Sequence, residues 1–127
     1  MIVRPVKPSD IPAIVEIVER CGLGVDGLNY SEWTGVVLVC VRQEQVIGFM
    51  AALPGHPYAV ITEYGVLPEH QKSRAAFKLW ESMELLLRSL GCKAWGTIVS
   101  EKRGMSDIMQ RIGAVSTGET ISYMRML

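Results

Sequence analysis

VLPEHQKSRAAFKLW, residues 66 to 80, changes character partway along. It opens as the end of a strand, turns through a Pro-Glu step and a polar run carrying Lys72 and Arg74, and then takes on helical spacing. Upstream, YAVITEYGVL is rich in β-branched and aromatic residues and reads as a strand. Downstream, Ala76, Leu79, Trp80, Met83, Leu86, Leu87 and Leu90 fall on one stripe of a helix spanning 73–90, with Gly91 to stop it. A strand that feeds a helix through a tight turn gathers several backbone N–H groups at the helix N-terminus, where the dipole also favours an anion. A pyrophosphate suits such a place.

The rest of the chain builds around this unit. IVRPV reads as a first strand, limited in length or held at an edge by Pro5 and Pro8. Ser9 or Asp10 caps a helix whose stripe is Ile11, Ile14, Val15, Val18 and Cys21, and Gly22 and Gly24 end it. VVLVCV and VIGFMAAL flank the polar RQEQ and read as a hairpin. Their apolar runs are too continuous for a sheet wet on one face. CKAWGTIVS gives a further strand. Ser106 or Asp107 opens a short helix that stops at Gly113, and AVST with TISYMRML forms a closing hairpin. The order predicts an α/β fold: a mixed, mostly antiparallel twisted sheet with helices on both faces. A chain of 127 residues without linker, repeat or low-complexity tract is expected to be one domain, 1–127.

Composition removes several function classes. Thirteen basic residues balance 13 acidic ones, so a general nucleic-acid or anionic-membrane binder finds no support. No apolar run is long enough to cross a membrane, and no signal peptide is visible, so a cytoplasmic protein is expected. Cys21, Cys40 and Cys92 are odd in number and widely spaced, which fits free thiols. His56 and His70 form no H-x-x-x-H or H-E-x-x-H pair, so no metal site is expected. Neither G-x-G-x-x-G nor G-x-x-x-x-G-K-[ST] is present, and no serine sits in G-x-S-x-G.

TEYGVLPEHQKSRAAFKLW resembles the central motif of the GNAT acyltransferases, in which a strand ending in Val, often followed by x-Pro-Glu, leads into [QR]-x-x-G-x-[GA] and a helix. Val66, Pro68, Glu69, Gln71 and Ala76 match, and the element order extends the resemblance over essentially the whole chain. The resemblance implies acetyl-coenzyme A as co-substrate. Its diphosphate would be cradled by the turn Gln71, Lys72, Ser73, Arg74, Ala75 and Ala76, with the pantetheine arm beside the strand around Val66. The slot needs a bulge in that strand, which Gly65 could permit. The acceptor would be a small-molecule or peptide amine. Glu63, three places before Val66, is the candidate general base or amine anchor.

Two departures from the family pattern bear on activity. Arg74 replaces the middle glycine, bringing a guanidinium suited to phosphate but also a side chain that can obstruct the turn. Aligned on Gly113, the family's proton-donating tyrosine falls on Met109, its asparagine on Lys102 and its phenylalanine on Ala114. Tyr123 or Tyr64 would have to replace that acid. The sequence therefore leaves two readings: an acetyltransferase acting on an amine, or a GNAT-like module that binds a ligand or protein without turnover. The short segment GLGVDGLNYSEWTG, with Asp26, Tyr30, Glu32 and Trp33, implies an acceptor side that is open or completed by a second subunit in a homodimer.

Overall fold

The computed structural model describes residues 1–22, 35–98, 111–116 and 122–127, with backbone alone at 98, 115–116 and 122–124. Among these residues lies one sheet of seven strands in the order β1-β2-β3-β4-β5-β7-β6. The strands are β1 (Ile2–Pro5), β2 (Val36–Arg42), β3 (Gln45–Leu53), β4 (Tyr58–Val66), β5 (Ala94–Ile98), β6 (Val115–Ser116) and β7 (Ser122–Met126). The described helices are α1 (Ile11–Arg20) and α2 (Ala75–Ser89). Every strand pair is antiparallel except β4 with β5, because α2 carries the chain between them as a crossover. The mixed, mostly antiparallel sheet flanked by helices follows the predicted order. Of the short helix expected around 106–112, only its last turn lies within the described residues.

β2 and β3 are buried through their middles, as their continuous apolar runs require. Their turn places Gln43 and Glu44 at φ of 50° and 65°, the left-handed region usually taken by Asn-Gly. β1 sits at the sheet edge and ends at Pro5, where a missing N–H leaves no ladder bond unmade. On α1 the buried set is Ile14, Ile17 and Val18, so Ile17 belongs to the stripe and Val15 lies at its margin. On α2 the core takes Ala75, Leu79, Trp80, Met83 and Leu87, whereas Leu90 is exposed beyond the last turn.

Two polar contacts and one aromatic seam pin these layers together. Asp10, 6% exposed, accepts both ends of the Arg4 guanidinium at 2.7 and 3.0 Å and the Lys7 amide at 2.7 Å, joining β1 to the start of α1. Glu84 on α2 accepts from the Trp95 indole and from Arg125 Nε, both at 3.1 Å, tying α2 to β5 and β7. Trp80 stacks on Trp95 at 4.7 Å and meets the Tyr64 ring edge-on at 5.1 Å, so α2, β4 and β5 share one aromatic seam.

Cys21 is partly buried, and Cys40 and Cys92 are buried; all three are free thiols. Burial pushes the Cys40 thiol above its ordinary pKa. Among the described residues no helix is long and apolar enough to cross a membrane. No His, Cys, Asp and Glu side chains among them gather into a metal site.

Candidate functional site

β4 carries the geometry of interest. It pairs with β5 only at Tyr58, Ala59 and Val60. One step further the Thr97 hydroxyl donates to the Ile61 carbonyl at 3.1 Å, and beyond that point β4 has no β5 partner among the described residues. The described pairing of β4 with β5 therefore ends at Ile61. The register against β3 also shifts there: Ala52 faces Ile61, but Ala51 faces Glu63. Thr62 is the extra residue. The bulge thus falls at Thr62, not at Gly65, which pairs regularly with Phe49.

The bulge sets where side chains point. Ala59 is paired with Trp95, and Tyr64 touches Trp80, so both face α2 although one position is odd and the other even. Glu63 consequently faces the other side, in line with Ala51 and, across β2, Val37. It is partly buried in the wall of a cavity of about 250 Å³ that Gly35, Val37, Ala51, Leu53 and Thr62 also line. The inserted residue turns Glu63 to the face of the sheet that carries this mostly apolar pocket.

From Val66 the chain turns through a 3-10 segment, Pro68–His70, into α2. The Val66 carbonyl accepts the Gln71 side-chain amide at 3.1 Å and the Cys21 thiol at 3.2 Å. Ser73 Oγ donates to the His70 carbonyl at 2.6 Å and accepts the Ala75 amide at 3.2 Å, so it works as the local cap. The Ser73 amide bonds His70, and the Gln71 amide reaches Pro68 at 3.4 Å. By contrast, the amides of Lys72, Arg74, Ala76 and Phe77 make no hydrogen bond to another described residue. Of the six turn residues expected to cradle a diphosphate, Lys72, Arg74 and Ala76 offer unused N–H groups, while Gln71, Ser73 and Ala75 use theirs to shape the turn.

Arg74 occupies the N-cap of α2 at φ −85° and ψ 11°, a conformation that does not call for glycine. Its side chain is exposed, as are those of Lys72 and Lys78. Three cations thus surround a helix N-terminus with open amides. That arrangement fits a polyphosphate, because each donor otherwise opposes the helix dipole.

Sequence reading missed how this turn is held. Arg20, at the end of α1, grips Glu69 with two hydrogen bonds of 2.9 and 2.6 Å. The Arg20 guanidinium lowers the Glu69 carboxyl below its ordinary pKa, and Glu69 in turn raises that of Arg20. Nothing in the spacing of positions 20 and 69 announces this contact. Tyr123 lies in β7 opposite Thr97, whose hydroxyl reaches Ile61 of β4; the Tyr123 side chain lies outside the described residues. Also outside them are Met109, Lys102, Asp26, Tyr30, Glu32 and Trp33.

A strand bulged at its middle and turning into an anion-ready helix, within this mostly antiparallel sheet, is the arrangement of an acyltransferase-like fold. Residues 13–105 match the acetyltransferase (GNAT) family, and the chain belongs to that family. No curated protein sequence matches the chain. Among solved structures it is similar to the PaiA N-acetyltransferase of Thermoplasma acidophilum in complex with coenzyme A, with a TM-score of 0.82 and 12% identity over 99% of this chain and 98% of that one. Ard1 from Thermoplasma volcanium gives 0.82 and 16% over 99% and 97%. A GNAT family acetyltransferase from Brucella melitensis in complex with acetyl-CoA gives 0.77 and 18% over 99% and 87%. At such identities the likeness is one of fold.

Proposed function

We propose that the protein transfers an acetyl group from acetyl-coenzyme A to an amine. The observation that carries this reading is the course of β4: past its bulge at Thr62 it leads into a turn whose amides at Lys72, Arg74 and Ala76 are unused among the described residues and which carries three exposed cations. An elongated ligand with an anionic diphosphate at one end fits that path. The thioester supplies an acyl carbon activated toward an amine.

The chain's own residues do the remaining work. Lys72, Arg74 and the free amides of the turn hold the diphosphate. The segment of β4 beyond Thr62 orients the arm. Glu63 holds the incoming ammonium and receives its proton, directly or through ordered water. The amine nitrogen then bonds the acyl carbon as the carbon–sulfur bond breaks. The thiolate departs and takes up a proton from Tyr123 or from solvent, since the family pattern, aligned on Gly113, puts its tyrosine at Met109. A thiolate leaves readily, so that last proton is not a prerequisite for transfer.

Isothermal titration with acetyl-coenzyme A tests the first half, with a Kd on the order of micromolar expected, as is common for enzyme substrates. Release of free thiol in the presence of amines tests the second. No binding at millimolar ligand would refute the reading. Binding without thiol release would favour a module that holds the coenzyme without turnover.

A further inference from the structure

Resting on the acetyl-transfer reading, we infer that Arg20 is a positioning residue for the diphosphate of the coenzyme: by pairing with Glu69 it draws that carboxylate to the end of α1 and cancels its charge beside the anion-binding turn. The end of α1 touches this turn at two points. The Cys21 thiol donates to the Val66 carbonyl at 3.2 Å, where β4 ends. The Arg20 guanidinium meets both oxygens of Glu69, at 2.9 and 2.6 Å, within the Pro68–His70 segment. Glu16, one helical turn back, stands at 3.8 Å from Arg20 and is the looser partner.

Little stability rests on this contact. The side chains of Arg20 and Glu69 are 40% and 47% exposed, and an ion pair so open to solvent adds little to folding. Its effect on a nearby anion is larger. Glu69 stands three positions before Lys72, the first turn residue whose amide is unused among the described residues. Three residues span at most about 11 Å between Cα atoms, close to the Debye length of about 10 Å at 0.1 M salt, so an unpaired carboxylate there repels a diphosphate. The charge of the pair follows directly: zero in the unmodified chain, −1 in Arg20→Ala, +1 in Glu69→Gln and zero again when both are changed. These differences hold whatever other charges stand nearby.

Acetyl-coenzyme A and inorganic pyrophosphate, which shares only the diphosphate, are titrated calorimetrically at low salt against the whole chain and its variants. A unit charge about 10 Å from a doubly charged diphosphate shifts its affinity by about three- to tenfold. Arg20→Ala should weaken both ligands by that factor. Glu69→Gln keeps an oxygen for Arg20 to bond and should tighten them. The double variant should return to the affinity of the unmodified chain, and Arg20→Lys, which keeps the charge, should retain most of it. Raising the salt should shrink every difference, while the urea midpoints of all variants stay close together. A clamp that only held the turn in shape would weaken both single variants and leave the double variant no better.

Unchanged affinity in Arg20→Ala would overturn the inference, as would a double variant as weak as Arg20→Ala. Weaker binding by Glu69→Gln would overturn it too, and that variant decides the matter even where Arg20→Ala fails to fold. The two readings separate. Binding of acetyl-coenzyme A without the expected order overturns the role of Arg20 and leaves acetyl transfer standing. The expected order with pyrophosphate, but no binding of acetyl-coenzyme A, overturns acetyl transfer and leaves the effect of the pair on the turn standing. If neither ligand binds the unmodified chain, both readings fall.

Discussion

Arg74→Ala should weaken acetyl-coenzyme A binding while stabilising the free protein. Arg74 sits at the N-cap of α2 with φ −85° and ψ 11°. Alanine adopts that backbone without strain, so the substitution removes a guanidinium and little else, whereas glycine would also loosen the unfolded chain. In the free protein the cation stands at the positive end of a helix dipole, and its removal should stabilise by about 0.3–1 kcal/mol at low salt. In the complex the same cation meets phosphate oxygens. Losing one charge-assisted hydrogen bond should weaken binding by about 1–2 kcal/mol, or roughly 5–30-fold. Affinity by titration and stability by urea unfolding should therefore move in opposite directions, and both differences should shrink as salt rises. Arg74→Lys should retain part of the affinity, having the charge without the planar fork. Tighter binding by Arg74→Ala would refute the argument, because it would mean that the side chain lies across the turn and obstructs it.

Other substitutions test other parts of the molecule. Glu63→Gln should lower kcat/KM by roughly ten- to a thousandfold and abolish the acidic limb of the pH–rate profile; a folded variant with unchanged rate and profile removes Glu63 from the mechanism. Asp10 has its pKa lowered, chiefly by its hydrogen bonds from Arg4. Its stabilising contribution is therefore complete above the ordinary carboxyl value of 3.8 and is lost as pH falls from there through the depressed folded value, so thermal unfolding of Asp10→Asn should show less pH dependence in that acidic window. Glu84→Ala should destabilise by about 1–3 kcal/mol in urea unfolding, since it leaves the fully buried Trp95 indole N–H without an acceptor. Glu84→Gln, which keeps an acceptor, should lose less.

Most of the element order was readable because each segment had a strong period of its own. The α2 stripe through Leu79, Trp80, Met83 and Leu87 and the apolar runs of β2 and β3 needed no tertiary information. The hairpin turn was visible as a polar break but not as a left-handed pair, since Gln43 and Glu44 lack the usual Asn-Gly chemistry. Ala76 was expected in the α2 core, yet Ala75 is the fully buried residue, a shift of one position that helical spacing tolerates at a terminus. The grip of Arg20 on Glu69 was not readable, because two exposed charges far apart in sequence carry no mutual signature.

The position of the bulge is the instructive correction, because its trace is in the sequence. Small and apolar residues occupy odd positions at Ala59 and Ile61, then the inward pattern passes to even positions at Tyr64 and Val66. A regular strand cannot change parity; one unpaired residue must intervene, and Thr62 is the polar residue between the two phases. Without that insertion, Glu63 would continue the set of Ala59 and Ile61 and point into the seam of Trp80 and Trp95, where a carboxylate would be stranded among aromatic rings. Tyr64 would point to the opposite face and lose its edge-on contact with Trp80. The parity change therefore does two things with one residue. It spares the α2 core an acidic side chain, and it delivers that side chain to the cavity on the other face. The same insertion follows directly on Ile61, the last β4 residue in contact with β5 among the described residues, so the backbone itself sets the face that Glu63 takes.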